Sequence, residues 1–505
     1  MGVIAKQSGY AAIALGAGMV VGALNNMVVL PRAFDGNEAI WGLVRIMTSW
    51  GMICASISTL GAPGAIVRFL HRYDGTEREK SLNSILAIAT FGVLTTLAIL
   101  WKWGESWIVW LDPDKGELLS QNVHWFLVIV AIMSVLHIFR ALLTWKLRTA
   151  FIAWIDELWQ KTSYFILGAL LLFDWVSLDA FVPLYIASYG VSFLLMGGAS
   201  IGLFAGLSKG INRSDLPQFA EFSAFSLFAG GAVIVATQLD YIMVGKFLGL
   251  EEVPVYTLGF FMGSVVALPR RATTNIVRGV VAEKINRDDN ASIGQLSKNT
   301  ARVNFLLMGA VMAGIWAGFD PLQQLLPPKY RGLELVFLCI AGAQLISGLN
   351  VSNNNHLGLS KHYRLVLPIN LALVVVTIAM NYLFLVVFEW GLAGAALATF
   401  GTFVWNNAWR VLIVYRKFGV HPFTWSIPVM LGIATVSAML FHWDAGTIGL
   451  HPLVEAVAQG ALATGTCFAT SYALGYFPEL RDGLKQRISW SVSYTHLTLP
   501  TILLV

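Results

Sequence analysis

Charge is scarce in this sequence. Only 12% of its 505 residues are Asp, Glu, Lys or Arg, against 57% hydrophobic. That is about half the charged share of an ordinary soluble domain. A chain with so few charges cannot solvate the surfaces of soluble domains, so that class is excluded. Cysteine is almost missing. Cys54, Cys339 and Cys467 each stand alone in apolar sequence, which excludes a disulfide framework and any cysteine metal spacing. No glycine-rich phosphate loop with a following Lys and Ser or Thr is present, so ATP is not the expected energy source. The excess of bases, 33 Lys and Arg over 28 acids, does not call for nucleic acid; in apolar sequence it reads as basic cytoplasmic loops. The opening "MGVIAKQSGY" runs into a full-length apolar segment without a small-residue cleavage site, so no cleaved signal peptide is expected. Lys6 stands where a myristoylation signal has Ser or Thr.

What is there is apolar sequence in lengths near the ~20 residues that cross hydrocarbon. About fourteen spans can be drawn, at 9–30, 39–61, 82–101, 122–143, 159–175, 181–205, 222–246, 253–273, 301–319, 333–350, 364–388, 391–413, 424–442 and 452–476. The expected fold class is an all-α polytopic membrane protein with about 14 transmembrane helices. With the N-terminus inside, Arg68, Arg72, Arg78, Lys80, Arg140, Lys146, Arg148, Lys161, Lys209, Arg213, the cluster from Arg270 to Arg302, Lys361, Arg364, Arg410, Arg416 and Lys417 all lie inside. Arg32, Lys102, Lys115, Lys246, Lys329 and Arg331 are left outside. This asymmetry is the positive-inside pattern and puts both termini in the cytoplasm.

The two halves resemble each other. "FDGNEAIWG" at Phe34 recurs loosely as "FLGLEEVPV" at Phe247, and "GAIVRF" at Gly64 as "TNIVRG" at Thr274, offsets of 213 and 210 residues. Two six-helix lobes related by an internal repeat, plus two C-terminal helices, fit that spacing, and repeats of this kind put a substrate path at their interface. The expected organisation is an N-terminal lobe at 1–215, a C-terminal lobe at 216–420, and helices 13–14 with a cytoplasmic end at 421–491. Residues 492–505 are set apart, because "VSYTHLTLPT" reads as one frame through a sequencing-library adapter; such a scar is kept out of fold reasoning.

Charges inside apolar spans carry the functional signal. Arg45 lies well inside the second span, where an Arg costs about 2.5–3.5 kcal/mol on insertion scales and rarely faces lipid. It reads as a phosphate clamp, since Arg binds phosphate bidentately, or as half of a buried helix–helix pair. Asp240, deep in the seventh span, can accept a proton or Na⁺, or pair with Arg45. Lys246 near the outer end either snorkels or marks an outer release site. Arg270, Arg271 and Arg278 form a basic rim at the expected cytoplasmic end of helix eight, as topogenic charge or as a first capture site. The polar stretch "NVSNNNHLGLSK" at 350–361 reads as a hinge or loop, with Asn353, Asn354 and His356 as alternative sugar contacts.

The N-terminal "MGVIAKQSGYAAIALGAGMVVGALNNMVVLPRAF", the internal repeat and above all "LDYIMVGKFLGLEEVPVYTLGF" at 239–260 resemble the polysaccharide-transport branch of the multidrug/oligosaccharidyl-lipid/polysaccharide (MOP) exporter superfamily. That branch opens its seventh helix with an Asp, an apolar stretch, Gly-Lys-Phe-Leu-Gly and an acidic residue before a Tyr. Asp240, Gly245, Lys246, Phe247, Leu248, Gly249, Glu251 and Tyr256 match; Pro254 and Val255 depart from it. The resemblance implies an inner-membrane flippase, not an enzyme, that moves an undecaprenyl-pyrophosphate-linked oligosaccharide to the outer leaflet for O-antigen, capsule or exopolysaccharide synthesis. It implies two lobes, a central cleft and alternating access. It also implies no cofactor beyond H⁺ or Na⁺ coupling, and as partners the membrane lipids and the glycosyltransferases and polymerase of one pathway. Lipid flippases of the superfamily use arginines in their first, second and eighth helices. Arg45 matches the second and Arg270 or Arg271 the eighth, while the first helix offers Asn25 and Asn26. A cation-coupled multidrug antiporter of the same superfamily is the nearest alternative; it usually has fewer spans and an acidic cavity. A glycan polymerase or ligase is the other, but it needs a large outer loop with catalytic Arg or His, and the connections near 102–121 and 320–332 are short and lack His.

Overall fold

The computed structural model describes residues 3–111, 116–203, 210–287, 289–444, 446 and 449–476. Lys115, Lys209 and the segment 492–505 lie outside the described residues. The described residues form helices and connections, without a strand among them. Among the described residues every span drawn from the sequence falls mainly on helix; 204–205 of the sixth span and 477–491 of the expected cytoplasmic end lie outside them. In chain order these are α1 (Gly9–Ala33), α2 (Glu38–Ser58), α3 (Gly75–Gly104), α4 (Val123–Trp145), α5 (Gln160–Leu172), α6 (Leu178–Ser200) and α7 (Leu216–Leu248). They continue with α8 (Glu252–Val265 then Leu268–Ile285), α9 (Asn290–Ala317), α10 (Glu334–Leu349 then Val351–Leu359), α11 (Tyr363–Val387), α12 (Gly391–Phe418), α13 (Ser426–Phe441) and α14 (Pro452–Ala473). By length and composition alone 8 of them can cross a membrane, or 10 when the two bent pairs, α8 and α10, each count as one span. The chain is a multi-pass membrane protein. The other four helices are shorter or carry more polar residues.

Packing divides the chain into two compact units. One comprises Met1–Leu258 with Val366–Ala398; the other comprises Gly259–Leu365 and the described residues from Thr399 onward. Grouping by packing is not grouping by repeat, and the lobe division after residue 215 remains a proposal. In lipid no hydrophobic force draws apolar helices together, so close van der Waals fit and buried hydrogen bonds do that work. The first unit follows this rule around α2, its most buried helix. Gly51 admits Met133 of α4, and Ser58 and Ser134 share a hydrogen bond of 2.7 Å across the same pair. Gly92 of α3 lies against the Ser58 carbonyl, and Gly61, at φ 75°, lets the α2–α3 connection lie on the backbone of α7 at Ser223. Gly18 of α1 does the same against the backbone of Glu157.

Four helical stretches of this unit contain a π turn: Asn25–Val29, Trp154–Trp159, Leu227–Gly231 and Leu383–Val387. A π turn disturbs the regular backbone ladder and often accompanies function. At Trp154–Trp159 it presents Asp156, which receives a bidentate pair of 2.8 Å bonds from Arg140. At Leu227–Gly231 the Ala229 carbonyl receives the side-chain amide of Asn370 from α11 at 2.7 Å.

In the second unit α9 is packed by small residues. Gly314 meets Thr464 and Gly460 of α14, Gly318 meets the Ala456 carbonyl, and Ala310, Ala313, Ala434, Ala438 and Cys467 form a tight cluster with α13 and α14. The break in α10 at Asn350 is held by a buried amide chain. Ser297 donates to Asn353, Asn353 to Asn350, Asn350 to Asn407, and Asn407 to Ser347, at 2.9–3.2 Å. Asn353 and His356 are buried inside the unit, at this hinge.

Helix α9 begins with an acid at its cap. Asp289 accepts from the Ser292 amide at 3.0 Å. Those hydrogen bonds to Ser292, joined by Lys284 and Arg287, hold the carboxyl below its usual range. A depressed carboxyl pKa adds stability above the unfolded pKa and loses it as pH falls through the folded one. Amide exchange at Ser292 and Ile293 is therefore expected to lose protection below about pH 4 in the wild type. In Asp289→Asn the protection should be independent of pH; equal profiles would refute the assignment.

Candidate functional site

The candidate site is built on the seam between α2 and α7. A Cβ on Gly42 would enter the carbonyl of Leu250, just past the end of α7, and one on Gly245 would enter Ile46. With no side chain at either position the two helices approach closely. Arg45, between Gly42 and Ile46, then lies over Tyr241, its Cζ 3.7 Å from the ring centroid. The Tyr241 ring meets that of Tyr256 edge-on, 5.6 Å away at 74°, and both rings are buried. A cation over an aromatic face contributes about 0.5–2 kcal/mol, most where water is scarce. Arg45 itself is half-buried, and its Nε has no protein partner.

One turn along the same face of α2, the Thr48 hydroxyl hydrogen-bonds Tyr185 of α6 at 3.1 Å, and Tyr185 hydrogen-bonds Tyr189 at 3.3 Å. Thr48, Tyr185 and Tyr189 thus form a row of buried hydroxyls that starts one turn along α2 from Arg45. None of Tyr241, Tyr185 and Thr48 was singled out from the sequence, although Tyr241 stood inside the quoted motif next to Asp240.

Asp240 points elsewhere. It is 4% exposed and accepts from the side-chain amide of Asn381 on α11 at 2.8 Å. Asn381 is fully buried; its amide also reaches the Thr377 carbonyl at 3.0 Å, and its own Oδ1 has no protein partner. The pairing of Asp240 with Arg45 is therefore corrected. Neighbours on a helix are ~100° apart, so when Tyr241 faces Arg45, Asp240 turns towards α11. The sequence offered no cue to Asn381, because α11 lies 141 residues further on.

Gly249, at φ 102°, ends α7. Lys246 stands half-buried in the last turn, its ammonium 5.8 Å from the Phe247 ring. Asn26 donates to the Gly22 carbonyl at 2.8 Å and so spends its amide on its own helix. Asn25, in the π turn of α1, is 2% exposed, and its Oδ1 has no protein partner.

The arginines of α8 are not at its end. The helix bends by 54° across Val266–Ala267 and then continues to Asn286. Arg270 and Arg271 occupy the first turn after the bend, where Pro269 restarts the helix without needing an amide partner. In the second unit Arg270 donates to Gln344 of α10 at 3.0 Å; its Nε has no protein partner, and Arg271 is exposed. The expected rim at the end of the span is thus a pair of cations at a bend.

No family model matches the chain, and no curated protein matches it in sequence. Solved structures do. The chain is similar to the lipid II flippase MurJ in an inward closed conformation, with a TM-score of 0.72 at 13% identity over 93% of this chain and 99% of that one. It is similar to a multidrug resistance MATE family transporter of the MOP superfamily, inward-facing, at 0.60 and 12% identity over 80% and 98%. An outward-facing conformation of a MATE family transporter matches at 0.52 and 13% identity over 81% and 95%. The chain has the all-helical fold of these flippase and transporter structures.

Two substitutions test this geometry. Gly42→Ala drives a methyl into the Leu250 backbone, which cannot turn aside, and is expected to destabilise by about 1–3 kcal/mol. Asn381→Leu leaves a buried carboxylate without its amide and should lower stability by about 1.5–3 kcal/mol, with much of the loss recovered on adding Asp240→Asn. Chemical unfolding in detergent with a loss under about 0.5 kcal/mol for both would show that neither contact holds the seam.

Proposed function

We propose that the chain is a flippase of the MOP superfamily for a lipid-linked oligosaccharide, moving an undecaprenyl-pyrophosphate carrier across a bacterial inner membrane with both termini in the cytoplasm. The observation that carries this reading is Arg45: a half-buried cation in an apolar helix, held over Tyr241 with an unpartnered Nε, one helical turn before Thr48, whose hydroxyl begins the Thr48–Tyr185–Tyr189 row. A pyrophosphate leaving water needs replacement donors, and a glycan needs hydroxyl partners. Arg45 would hold the phosphate and the tyrosines the first sugar, while the lipid tail stays in hydrocarbon. In the second unit Arg270, with its own unpartnered Nε, and Arg271 offer two further cations at the bend of α8. Lys246 is a release site, and Asn25 and Asn26 are lesser donors. No covalent step is needed, so the protein is not an enzyme. An inside-negative potential favours export of an anion by about 2.3 kcal/mol per charge per 100 mV.

The buried Asp240–Asn381 pair is the natural place for H⁺ or Na⁺ coupling. The same pair supports the second reading, a cation-coupled drug antiporter like the MATE transporters. The glycosyltransferases and polymerase of one glycan pathway remain proposed partners.

Flipping of a labelled undecaprenyl-pyrophosphate oligosaccharide in proteoliposomes separates the readings. The wild type is expected to flip it. Arg45→Ala should slow flipping at least about 100-fold, as the loss of a charged hydrogen bond and ring contact of roughly 3 kcal/mol implies; Arg45→Lys should be intermediate. No flipping, together with proton- or Na⁺-driven efflux of a cationic dye that Asp240→Asn abolishes, would move the chain to the antiporter reading.

A further inference from the structure

The second unit carries a group of side chains that the transport reading does not use. Asp320, in the short helix Phe319–Gln324, Glu334 at the start of α10 and His442 just past the end of α13 bring one ligand atom each within 4.8 Å of one another. Three chain segments converge there, at the end of α9 where Trp316 stands.

The hydrogen bonds fix what His442 can do. Its Nδ1 lies 2.9 Å from the Trp316 carbonyl, which only accepts, so Nδ1 carries a proton. In the neutral ring Nε2 is then a bare lone pair, and it faces the Asp320 Oδ2 at 3.5 Å. Two acceptors aimed at each other repel unless a cation stands between them. An imidazole whose other nitrogen donates to a backbone carbonyl is also the arrangement that orients a metal ligand and raises its basicity. The carboxylates are oriented too. The Trp316 indole donates to Glu334 Oε1 at 2.6 Å and the Gln323 amide approaches Asp320 Oδ1 at 3.4 Å, while each carboxylate offers one oxygen to the group.

We propose that Asp320, Glu334 and His442 form a binding site for a divalent transition-metal ion, best matched by Zn²⁺. One imidazole nitrogen and two carboxylate oxygens with an open fourth position suit zinc, whereas Mg²⁺ and Ca²⁺ favour oxygen alone. Bonds of ~2.0–2.2 Å in a tetrahedron set ligand atoms roughly 3.5 Å apart, so the group closes by about an ångström around the ion. The ion would tie the ends of α9 and α13 to the start of α10. On the loop charges this end of the unit faces outward. The site is independent of what the protein transports.

The test is Zn²⁺ titration of the untagged full-length protein in detergent after chelation, read by calorimetry, with Co²⁺ absorption as a second probe. One ion per chain is expected, with a visible Co²⁺ spectrum of low coordination. His442→Gln, Asp320→Asn and Glu334→Gln should each weaken binding beyond the roughly 10–100-fold that loss of a mere supporting group costs. Melting in chelator identifies any variant that fails to fold. X-ray absorption of the wild-type Zn²⁺ complex then serves in its place, with a single imidazole in the coordination shell expected. No stoichiometric Zn²⁺ binding by the wild type, binding that all three folded variants retain, or a shell without imidazole would overturn the proposal. In those cases a proton on His442 would be the cation that the Asp320 carboxylate faces.

Discussion

A charge inside an apolar helix must be satisfied by protein, because lipid offers it nothing. Two such charges, Arg45 and Asp240, organise the first unit. Each is reached by a side chain from another helix, and the Arg45 contact needs a close approach of backbones that glycine permits. Gly42 and Gly245 let α2 and α7 touch, and the Arg45–Tyr241 stack follows from that contact. Asn370 and Asn381 fasten α11 to α7 at two levels, one on a π-turn carbonyl and one on Asp240. The motif that drew attention in the sequence is therefore a packing device as much as a binding one. Gly245 fits Ile46, Gly249 ends the helix, and Tyr256 supports the ring beneath Arg45.

The division of labour has a physical logic. A carboxylate and a guanidinium placed side by side would neutralise each other and leave little for a ligand. Turning Asp240 towards the Asn381 amide and Arg45 towards the Tyr241 ring keeps the two charges on separate partners and leaves Arg45 Nε unspent. The Tyr241 ring faces the guanidinium of Arg45 while its Nε keeps no protein partner, so that N–H can still donate to an incoming anion.

Much of this was legible in advance, for stated reasons. Apolar length alone located the fourteen long helices, because a membrane segment must be long and continuous. Arg45 and Asp240 stood out because charge in such segments is rare. The partners were not legible. Asn381 and Tyr185 belong to helices whose position relative to α7 and α2 depends on packing, and nothing in local sequence encodes it. The place of Arg270 was misjudged because a proline-started segment after a bend reads, in hydropathy, like a span that simply ends. The absence of His from the short outer connections concealed His442, which reaches Asp320 from 122 residues away along the chain.

The central claim is that Arg45 is held ready for an anionic lipid headgroup. Native mass spectrometry of the purified protein tests it most directly, by comparing undecaprenyl pyrophosphate with undecaprenol in the wild type and in Arg45→Gln. The account predicts that the wild type retains the pyrophosphate far better than the alcohol and that Arg45→Gln erases the difference. Equal retention of both lipids by the wild type, or an undiminished preference in Arg45→Gln, would contradict it.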